Sequence, residues 1–579
     1  MTAKAMGDGA SQSGCDSGFW PYVEARRLLA RLAGHAKERP AVFESGFGPS
    51  GFPHLGTMGE VLRPSFVRQA LARLDPRRAS RLIVFIDDMD GLRKVPENIP
   101  QPERLAPLLG APVSRIFDPF GCCPSFAEHM VGRLRALFAP VEVDYELLRA
   151  SEMYGAGRFD SGLRLVLERH QEITALVAPT LRAENRAGWS PFMPVCPSCG
   201  LVNSTVVTGY FVERESVAFT CSRQFGASAG CGFGGTQSVL GGRAKLQWKV
   251  DWAVRWYVLG VDYELYGKDL IDSARLSGQI VRLLGGAPPL GFPFELYLDE
   301  QGRKVSKSVG RGVGAEQWLR YAPIDVLRYF LILNPRRARK LFLEAIPQYV
   351  DEYLEALRAW SAPAPEGAGA TAHRADAAPD GGTPENPERP ERAALRLETM
   401  EMRDFVWQSK SPRRFASGLT YSLITHLVPS LASDDPALIW QYLTRYDPQV
   451  AADPDTQALA RTLTQCAINF YNDFIRPTAQ FRLPQTAEEQ EQLSALAEFL
   501  EQNPDAGGEA IEHRIYEIGR RFYDRPGRIF TFLYAVLMGQ ERGPRLGAFI
   551  RLRGAEAVAA MLRRACQGLS PQPPHKNRR

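Results

Sequence analysis

Short apolar runs alternate with helical patterns along the first 360 residues of the chain. Five runs carry the apolar and β-branched residues typical of buried strands: "AVFESGF" (41–47), "RLIVFIDD" (81–88), "VEVDYELL" (141–148), "DYELYG" (262–267) and "FPFELYLD" (292–299). The alternation of such strands with helices predicts an α/β fold built on a parallel, doubly wound sheet.

The later part of the chain has a different pattern. Apolar residues recur at helical period in stretches such as "TQALARTLTQCAINFYNDFI" (456–475), which predicts an all-α domain over residues 394–565. Residues 361–393 hold few large apolar side chains and many Pro, Gly, Ala and charged residues, so we expect a flexible linker there. Residues 1–17 are predicted to be a disordered tail, and residues 566–579 a short basic one.

The composition is that of a globular protein with a mildly basic balance. The 579 residues suffice for about three or four domains, and 45% apolar residues support real cores. The net charge of +5 permits a polyanionic partner without demanding one. No run of ~18 apolar residues and no signal-peptide core occur, so we expect a cytoplasmic protein without a membrane partner.

The stretch "GPSGFPHLGT" (48–57) follows the first predicted strand and precedes a helical pattern. In this position His54 and Thr57 would face a ligand at a helix N-terminus, which attracts phosphates. The alternative is an ordinary connection with a surface histidine. Four glycines in or beside the stretch allow a close approach of the backbone: Gly46, Gly48, Gly51 and Gly56.

A second stretch, "GRKVSKSVG" (302–310), concentrates cations and hydroxyl groups after the last predicted strand. Two lysines among glycines and serines suit a clamp for a triphosphate whose charge grows during reaction. The alternative is a solvated surface turn. The candidate residues are Lys304, Ser306, Lys307 and Ser308.

Taken in this order, "PSGFPHLGT" and "KVSKS" resemble the paired HIGH and KMSKS signatures of class I aminoacyl-tRNA synthetases. Further motifs are similar to those of the class I lysyl-tRNA synthetases, over most of residues 38–360 and much of 394–555. These motifs include "DDMDGLRKVPENIP", "IFDPFG", "KLQWKVDWAVRWYVLGVDYELYGKDLIDS", "NPRRARKLFLEAIPQYVDEYL", "YNDFIRPT" and "MGQERGPRLGAFI".

The resemblance implies a Rossmann-like catalytic domain over residues 18–360, with a small inserted domain at about 97–245 and the KVSKS loop region at 300–350. It implies that the all-α domain binds the anticodon. The implied reaction uses ATP, accompanied by Mg²⁺, to convert L-lysine to lysyl-adenylate, and then transfers lysine to the 3′ end of tRNA(Lys). The expected nucleic-acid partner is therefore tRNA and not DNA.

The resemblance also implies roles for individual residues. His54, Lys304 and Lys307 correspond to the catalytic residues. The lysine-binding residues would be Gly46, Trp248 and Tyr297. The implied ATP site comprises Gly51, His54, Gly56, Thr57, Gly267, Asp269, Lys304, Ser306, Lys307 and Ser308.

Two positions depart from the archaeal-like members of the family, which have Thr where Gly48 stands and His where Leu270 stands. These departures favour a proteobacterial branch and weaken the assignment of the lysine pocket. Two alternatives follow. The chain could be a class I synthetase for another amino acid, or a tRNA-binding paralogue that has lost catalysis.

Several other side chains are candidate site residues that could instead have a purely structural role. Glu60, Asp88 and Asp90 are carboxylates near the implied pocket, or else charges with structural partners. The spacing of Trp248, Trp252 and Trp256 by four residues predicts that at least two of them belong to a helical core face.

The nine cysteines are odd in number and clustered, which argues against a disulfide framework. "CPSCG" has the knuckle spacing that suits a structural zinc site with thiolate ligands, and two later cysteines complete the set. The alternative is a set of free buried cysteines or a degenerate site. The four candidate ligands, within residues 196–231, are Cys196, Cys199, Cys221 and Cys231. The adjacent Cys122 and Cys123 are predicted to be packing residues.

Overall fold

A computed structural model describes residues 17–36, 38–186, 188–303, 313–361, 401–431, 433–478, 480–542 and 545–571. Most of the two predicted tails and of the predicted linker lies outside these residues. The chain divides into two compact units. The first holds residues up to 317, 327–343 and 389–408; the second holds 318–326, 344–388 and the rest from 409.

The first unit is built on a four-stranded parallel sheet. Its strands, in spatial order, are Glu146–Arg149, Ser80–Ile86, Ala41–Phe47 and Tyr263–Glu264. The two central strands are mostly buried, as expected when helices cover both faces of a parallel sheet. The predicted parallel α/β architecture is confirmed.

Register places the ends of the two central strands side by side, because Ala41 pairs with Ser80 and Phe47 pairs with Ile86. The strand Glu146–Arg149 begins later than the sequence pattern predicted, which placed its start at residue 141. Asp144 is exposed and its carboxylate pairs with Arg68 at 2.9 Å, so residues 141–145 stay outside the ladder.

Shorter sheets surround this core. Two parallel pairs join Tyr266–Gly267 to Pro293–Phe294 and Tyr297–Leu298 to Arg339–Lys340. The remaining strands are antiparallel. They pair Phe192–Pro194 with Ala244–Leu246, and arrange Thr205–Phe211, Ser216–Cys221 and Gly234–Ser238 in one three-stranded sheet.

These antiparallel strands form a small subdomain where the sequence predicted an insertion at about 97–245. That segment is not one continuous insertion, because the strand Glu146–Arg149 within it belongs to the parallel sheet and pairs with Ser80–Ile86. The other proposed domain bounds stay predictions.

Helices connect the strands of the first unit. Leu55–Leu74 continues through Pro64, although a proline inside a helix removes one backbone hydrogen bond. The helices up to residue 332 are Trp20–Leu32, Leu55–Leu74, Pro102–Leu105, Phe126–Phe138, Ala150–Gly155, Asp160–Glu168, His170–Val177, Ala183–Arg186, Trp248–Leu259, Ile271–Leu283, Ala315–Tyr321 and Ile324–Ile332.

The second unit consists of helices and irregular connections, with no strand among the residues described, which agrees with the predicted all-α domain. Its helices bury apolar stripes, for example Ile511, Ile515 and Ile518 on one face of Gly508–Phe522. None of the helices described is long and apolar enough to span a bilayer. The helices from residue 346 onward are Ile346–Ser361, Tyr421–Ser430, Pro436–Tyr446, Pro454–Phe470, Ala487–Gln502, Gly508–Phe522, Arg528–Met538, Leu546–Arg553 and Ala555–Cys566.

Candidate active site

A cavity of about 270 Å³ opens where the two central strands end. Parallel sheets bind ligands at this edge, because the loops that follow adjacent strands meet there. The cavity carries both signs of charge. Its lining consists of Gly48, Pro49, Ser50, Gly51, Asp87, Asp90, Gly91, Arg93, Lys94, Pro96 and Val113.

His54 caps the helix Leu55–Leu74 next to this cavity. Its Nδ1 accepts a hydrogen bond from the Gly56 backbone N–H at 2.9 Å, and Thr57 Oγ1 accepts one from the His54 N–H at 3.4 Å. An imidazole that accepts at Nδ1 carries its hydrogen on Nε2 when neutral, so Nε2 is a donor. The capping box therefore fixes which ring nitrogen can donate a hydrogen bond to a ligand.

Gly56 leaves room for that ring. A β-carbon at residue 56 would lie 2.4 Å from His54 Cε1. Thr57 is completely buried and its hydroxyl serves the cap, which argues against its predicted contact with ATP. At Gly46 a β-carbon would lie 3.8 Å from Asp87 Oδ2, so the Asp87 carboxylate sits beside this glycine.

A buried ionic cluster adjoins the cavity through Asp87. The fully buried Arg255 places Nη1 2.9 Å from Asp87 Oδ1 and Nε 3.6 Å from carboxylate oxygens of Glu44 and Asp251. Burial raises the pKa of Asp87 to about 7, although Arg255 opposes the rise. Burial also raises the pKa of Glu44 well above its usual range.

Glu44, Asp87 and Arg255 are not among the site residues predicted from the sequence. The sequence did contain a sign of this cluster. The apolar strand "AVFESGF" includes a charged residue, and the tryptophan-rich helix includes an arginine. A charge buried in either place needs a partner of opposite charge. What the sequence does not contain is their adjacency, which depends on packing the helix Trp248–Leu259 against the sheet.

The three predicted carboxylate candidates have different environments. Asp90 lines the cavity and pairs with the buried Lys245. Asp88 is buried and accepts the Ser151 backbone N–H at 2.7 Å, so the structural alternative holds for it. Glu60 is half-buried and is not among the residues that line the cavity.

Two of the three tryptophans spaced by four residues belong to the hydrophobic core. Trp252 and Trp256 are buried, and both donate their indole N–H to Glu264, in the first case at 3.0 Å. This confirms the prediction for two of the three. Trp248 is half-buried and stacks on Trp252 with ring centres 5.0 Å apart.

Tyr297 lies against the helix Leu55–Leu74, where its hydroxyl accepts a hydrogen bond from Arg63 and its ring stacks on Phe330. Neither Tyr297 nor Trp248 lines the cavity. Their contact with lysine stays a prediction.

Gly267, another glycine of the predicted ATP site, also has a side chain close to where its β-carbon would lie. A β-carbon at Gly267 would lie 2.6 Å from Asp269 Oδ1, so a larger residue there would displace that carboxylate. Asp269 lies one turn before the helix Ile271–Leu283, at the end of the short strand Tyr266–Gly267.

Lys304, Ser306, Lys307 and Ser308 lie outside the described residues. The chain on their C-terminal side is placed, however. The carbonyl of Val313 accepts the backbone N–H of Leu55 at 3.0 Å, which brings it to the first residue after His54. Val313, which follows the KVSKS motif in the chain, therefore lies next to the predicted catalytic histidine.

The four cysteines of the predicted zinc site converge. Sγ of Cys196 lies 3.6 Å from Sγ of Cys231, and Cys199 and Cys221 are equally close. All four sulfurs lie within 4.8 Å of one another, and no disulfide joins the described cysteines. Tetrahedral zinc with ~2.3 Å bonds separates its sulfurs by about 3.8 Å, so the cluster has suitable dimensions for this ion.

A second cluster of ligand-type side chains corrects the prediction for Cys122 and Cys123. Their thiols do not pack in the core; Cys122 is exposed and its Sγ lies 3.2 Å from Nδ1 of His129. Asp118 lies 3.5 Å from that nitrogen and also accepts both cysteine backbone N–H groups at 2.9 Å. The four candidate ligand atoms lie within 4.8 Å of one another.

Comparison with known proteins gives extended matches. The family model "tRNA synthetases class I (K)" matches residues 18–377. A lysine–tRNA ligase of Rickettsia africae (strain ESF-5) is 37% identical over 551 residues, covering 94% of this chain and 97% of that protein. The lysine–tRNA ligase of Rickettsia prowazekii (strain Madrid E) is 36% identical over 557 residues, covering 94% and 96%. A solved glutamate tRNA ligase from Elizabethkingia meningosepticum aligns with a TM-score of 0.39 and 13% identity over 92% of this chain and 100% of that one.

Proposed function

Because the chain belongs to the class I lysyl-tRNA synthetases, we propose that it is an ATP-dependent lysine–tRNA ligase. It activates L-lysine as lysyl-adenylate and transfers lysine to the 3′ end of tRNA(Lys), and it acts in the cytoplasm. The observation that carries the proposal is similarity to lysine–tRNA ligases over nearly the whole chain. The cavity beside His54 supports it with chemistry suited to both substrates.

The cavity offers an acceptor for a cationic amino acid. Asp87 presents one oxygen to Arg255, and its other oxygen lies beside Gly46 at the cavity wall. Asp90 adds a second carboxylate to the lining. Carboxylates in such a water-poor wall attract an ammonium group, and we propose Asp87 as the first contact for an amine of lysine.

The phosphates of ATP require donors and positioning more than a protein nucleophile. In the proposed mechanism His54 donates its Nε2 hydrogen to a phosphate oxygen as negative charge grows there. Lys304 and Lys307 steady the departing pyrophosphate, and Asp269 binds the ribose hydroxyls. Mg²⁺ enters with ATP and offsets the charge of the phosphates.

ATP–pyrophosphate exchange tests the proposal. With tRNA(Lys) present, we expect lysine to support exchange at least a hundredfold faster than arginine or glutamate. The Asp87→Asn variant should raise KM for lysine about tenfold with KM for ATP unchanged, because it removes the charge that faces the amine. Since the pKa of Asp87 is about 7, kcat/KM for lysine should rise between pH 6 and 8 in the wild type as the carboxylate ionises, and less in the variant.

Exchange with another amino acid but not lysine would identify a different synthetase. Absence of exchange with every amino acid would indicate the catalytically inactive paralogue. A wild-type KM for lysine in Asp87→Asn would assign the amine to another group while leaving the ligase activity in place.

We propose that the four-cysteine cluster holds a structural zinc ion, and that the Asp118, Cys122, Cys123 and His129 cluster holds a second one. Each set supplies four donors of the types that zinc prefers. The first would brace the three-stranded subdomain, and the second would join the loop after Ile116 to the helix Phe126–Phe138.

Metal analysis checks both sites. The purified protein should contain about two equivalents of zinc, the Cys199→Ser variant about one, and His129→Ala about one. The half-buried Cys566 is not part of either cluster, so Cys566→Ser serves as the control and should keep both ions. Less than a tenth of an equivalent in the wild type would reject both sites.

A further inference from the structure

The loop that leads to His54 has little backbone support. Residues 48–53 belong to no helix or strand, and among the residues described their backbone groups make no hydrogen bonds to other backbone groups. Hydrogen bonds resume at His54, whose N–H and ring both contact the first turn of the helix Leu55–Leu74. The position of the loop 48–53 therefore depends on contacts of its side chains.

One large side chain anchors this loop. The ring of Phe52 meets two other rings edge to face, that of Phe120 with centroids 5.7 Å apart and that of His129 with centroids 6.4 Å apart. Phe120 and His129 stack on each other with centroids 4.0 Å apart and 13° between their planes. Edge-to-face aromatic pairs at such distances attract each other in addition to burying area. We call these three rings the aromatic cluster.

The anchor is close to His54 along the chain, because only Pro53 separates Phe52 from His54. The ring of Pro53 fixes its own φ angle and restricts the residue before it to extended conformations. The backbone between Phe52 and His54 is therefore stiff. Holding the Phe52 ring in place limits where His54 can lie, and with it the helix cap that orients the imidazole.

The other two rings of the aromatic cluster belong to the second proposed metal site or to its loop. His129 places Nδ1 3.2 Å from Sγ of Cys122 and 3.5 Å from Oδ1 of Asp118. The backbone N–H of Phe120 donates to the same carboxylate oxygen of Asp118 at 3.0 Å. Metal coordination fixes the orientation of an imidazole ring and of the carboxylate beside it. It would thus order both of the rings that hold Phe52.

A cation on the same helix as His129 extends this contact. The guanidinium of Arg133 lies 5.9 Å from the centre of the Phe52 ring, within the range of a cation–π contact, and 3.4 Å from a carboxylate oxygen of Glu316. Glu316 lies in the first turn of the helix Ala315–Tyr321, which follows the KVSKS motif in the chain. The ion pair is exposed and adds little stability on its own. It nevertheless places one side chain against both the loop before His54 and the helix after that motif.

We propose that metal binding at the second site, the one that contains His129, positions the loop 48–53, and that Phe52 is the positioning residue that transmits the effect to His54. With the metal bound, the aromatic cluster is rigid and His54 is held at the helix start. Without it, His129 and its neighbours lose their fixed orientation and the loop loses its anchor. The proposal rests on the proposed function and on the proposed second zinc site, and makes adenylate formation depend on zinc.

Hydrogen exchange in the full chain, followed by mass spectrometry, tests this coupling without any need for activity. The backbone amides of residues 54–56 should exchange about tenfold faster in His129→Ala, which loses the second ion, and in Phe52→Ala, which keeps both ions. Phe52→Tyr keeps the ring and should exchange like the wild type. Cys199→Ser is the matched control, because it loses the ion of the other cluster and should leave these amides unchanged.

ATP–pyrophosphate exchange with lysine measures the consequence for the reaction. In Phe52→Ala and in His129→Ala, kcat should fall about tenfold with KM for lysine within about twofold of the wild type, since a misplaced donor affects the transition state more than lysine binding. The double variant should fall no further, because both changes break the same link. Phe211→Ala removes an exposed ring from the strand Thr205–Phe211 and should keep the wild-type kcat.

Wild-type hydrogen exchange at residues 54–56 in both Phe52→Ala and His129→Ala would overturn the proposal. So would an additive loss of kcat in the double variant, or equal zinc contents in the wild type and His129→Ala. Absence of ATP–pyrophosphate exchange in the wild type would instead contradict the proposed function, and hydrogen exchange would still decide whether the metal site positions the loop.

Discussion

Changing His54 to alanine is expected to slow lysyl-adenylate formation by ~10²–10³-fold, the usual cost of losing one donor to transition-state charge. The cap at Nδ1 fixes Nε2 as the donor in the neutral ring. The alanine variant loses the whole imidazole, and with it both the Nε2 donor and the cap that orients this donor. The fall should be in kcat of exchange, with KM for lysine nearly unchanged, because the proposed contact for lysine is Asp87 and not His54.

His54→Asn is the control that separates catalysis from folding. Asparagine is a good N-cap and keeps the helix start, whereas alanine costs about 1 kcal/mol of stability at such a position. The asparagine variant should therefore melt like the wild type and still lose most of the exchange rate. Exchange within threefold of the wild type in His54→Asn would refute the donor role.

Changing Arg255 to methionine should destabilise the first unit by about 3–5 kcal/mol, because it leaves several buried carboxylates without their counter-ion. Glu44 is fully buried, and neither of its oxygens accepts a hydrogen bond from the residues described. Asp87 and Asp251 lose the same partner. In calorimetry the transition of this unit should fall by about 10 °C.

The loss should depend on pH. Burial raises the folded-state pKa of Glu44 and Asp87, so both carboxyls bind protons more readily folded than unfolded. Such groups favour the folded state below their unfolded pKa and lose that contribution as pH rises through the folded value. The deficit of Arg255→Met should therefore be smaller at pH 5.5 than at pH 8.

A second substitution checks the cause of this loss. Adding Glu44→Gln to Arg255→Met removes one stranded charge and should recover part of the lost stability. Equal stability of the single variant and the wild type would show that the ionic cluster does not stabilise the fold.

Much of the fold followed from local pattern. The strand at 41–47 and the helices at 454–470 and 487–502 have periodicities that their surroundings do not override. The prediction of the strand at 146–149 was less accurate. Asp144 was included in the predicted strand, but it is exposed and pairs with an arginine outside the ladder. The misassigned Cys122 and Cys123 show the same limit, because their ligand partners Asp118 and His129 are recognisable only when the loop is folded.

The sequence by itself determined the fold class through the alternation of strands and helices. It also located the four-cysteine cluster and the glycine-rich helix start at His54, because residue type and spacing encode both. The tertiary structure decided the burial of Arg255 among carboxylates and the contact of Val313 with the residue that follows His54. Each of these depends on distances between elements far apart in the chain. Such distances follow from how sheets and helices pack, and packing is not readable from local periodicity.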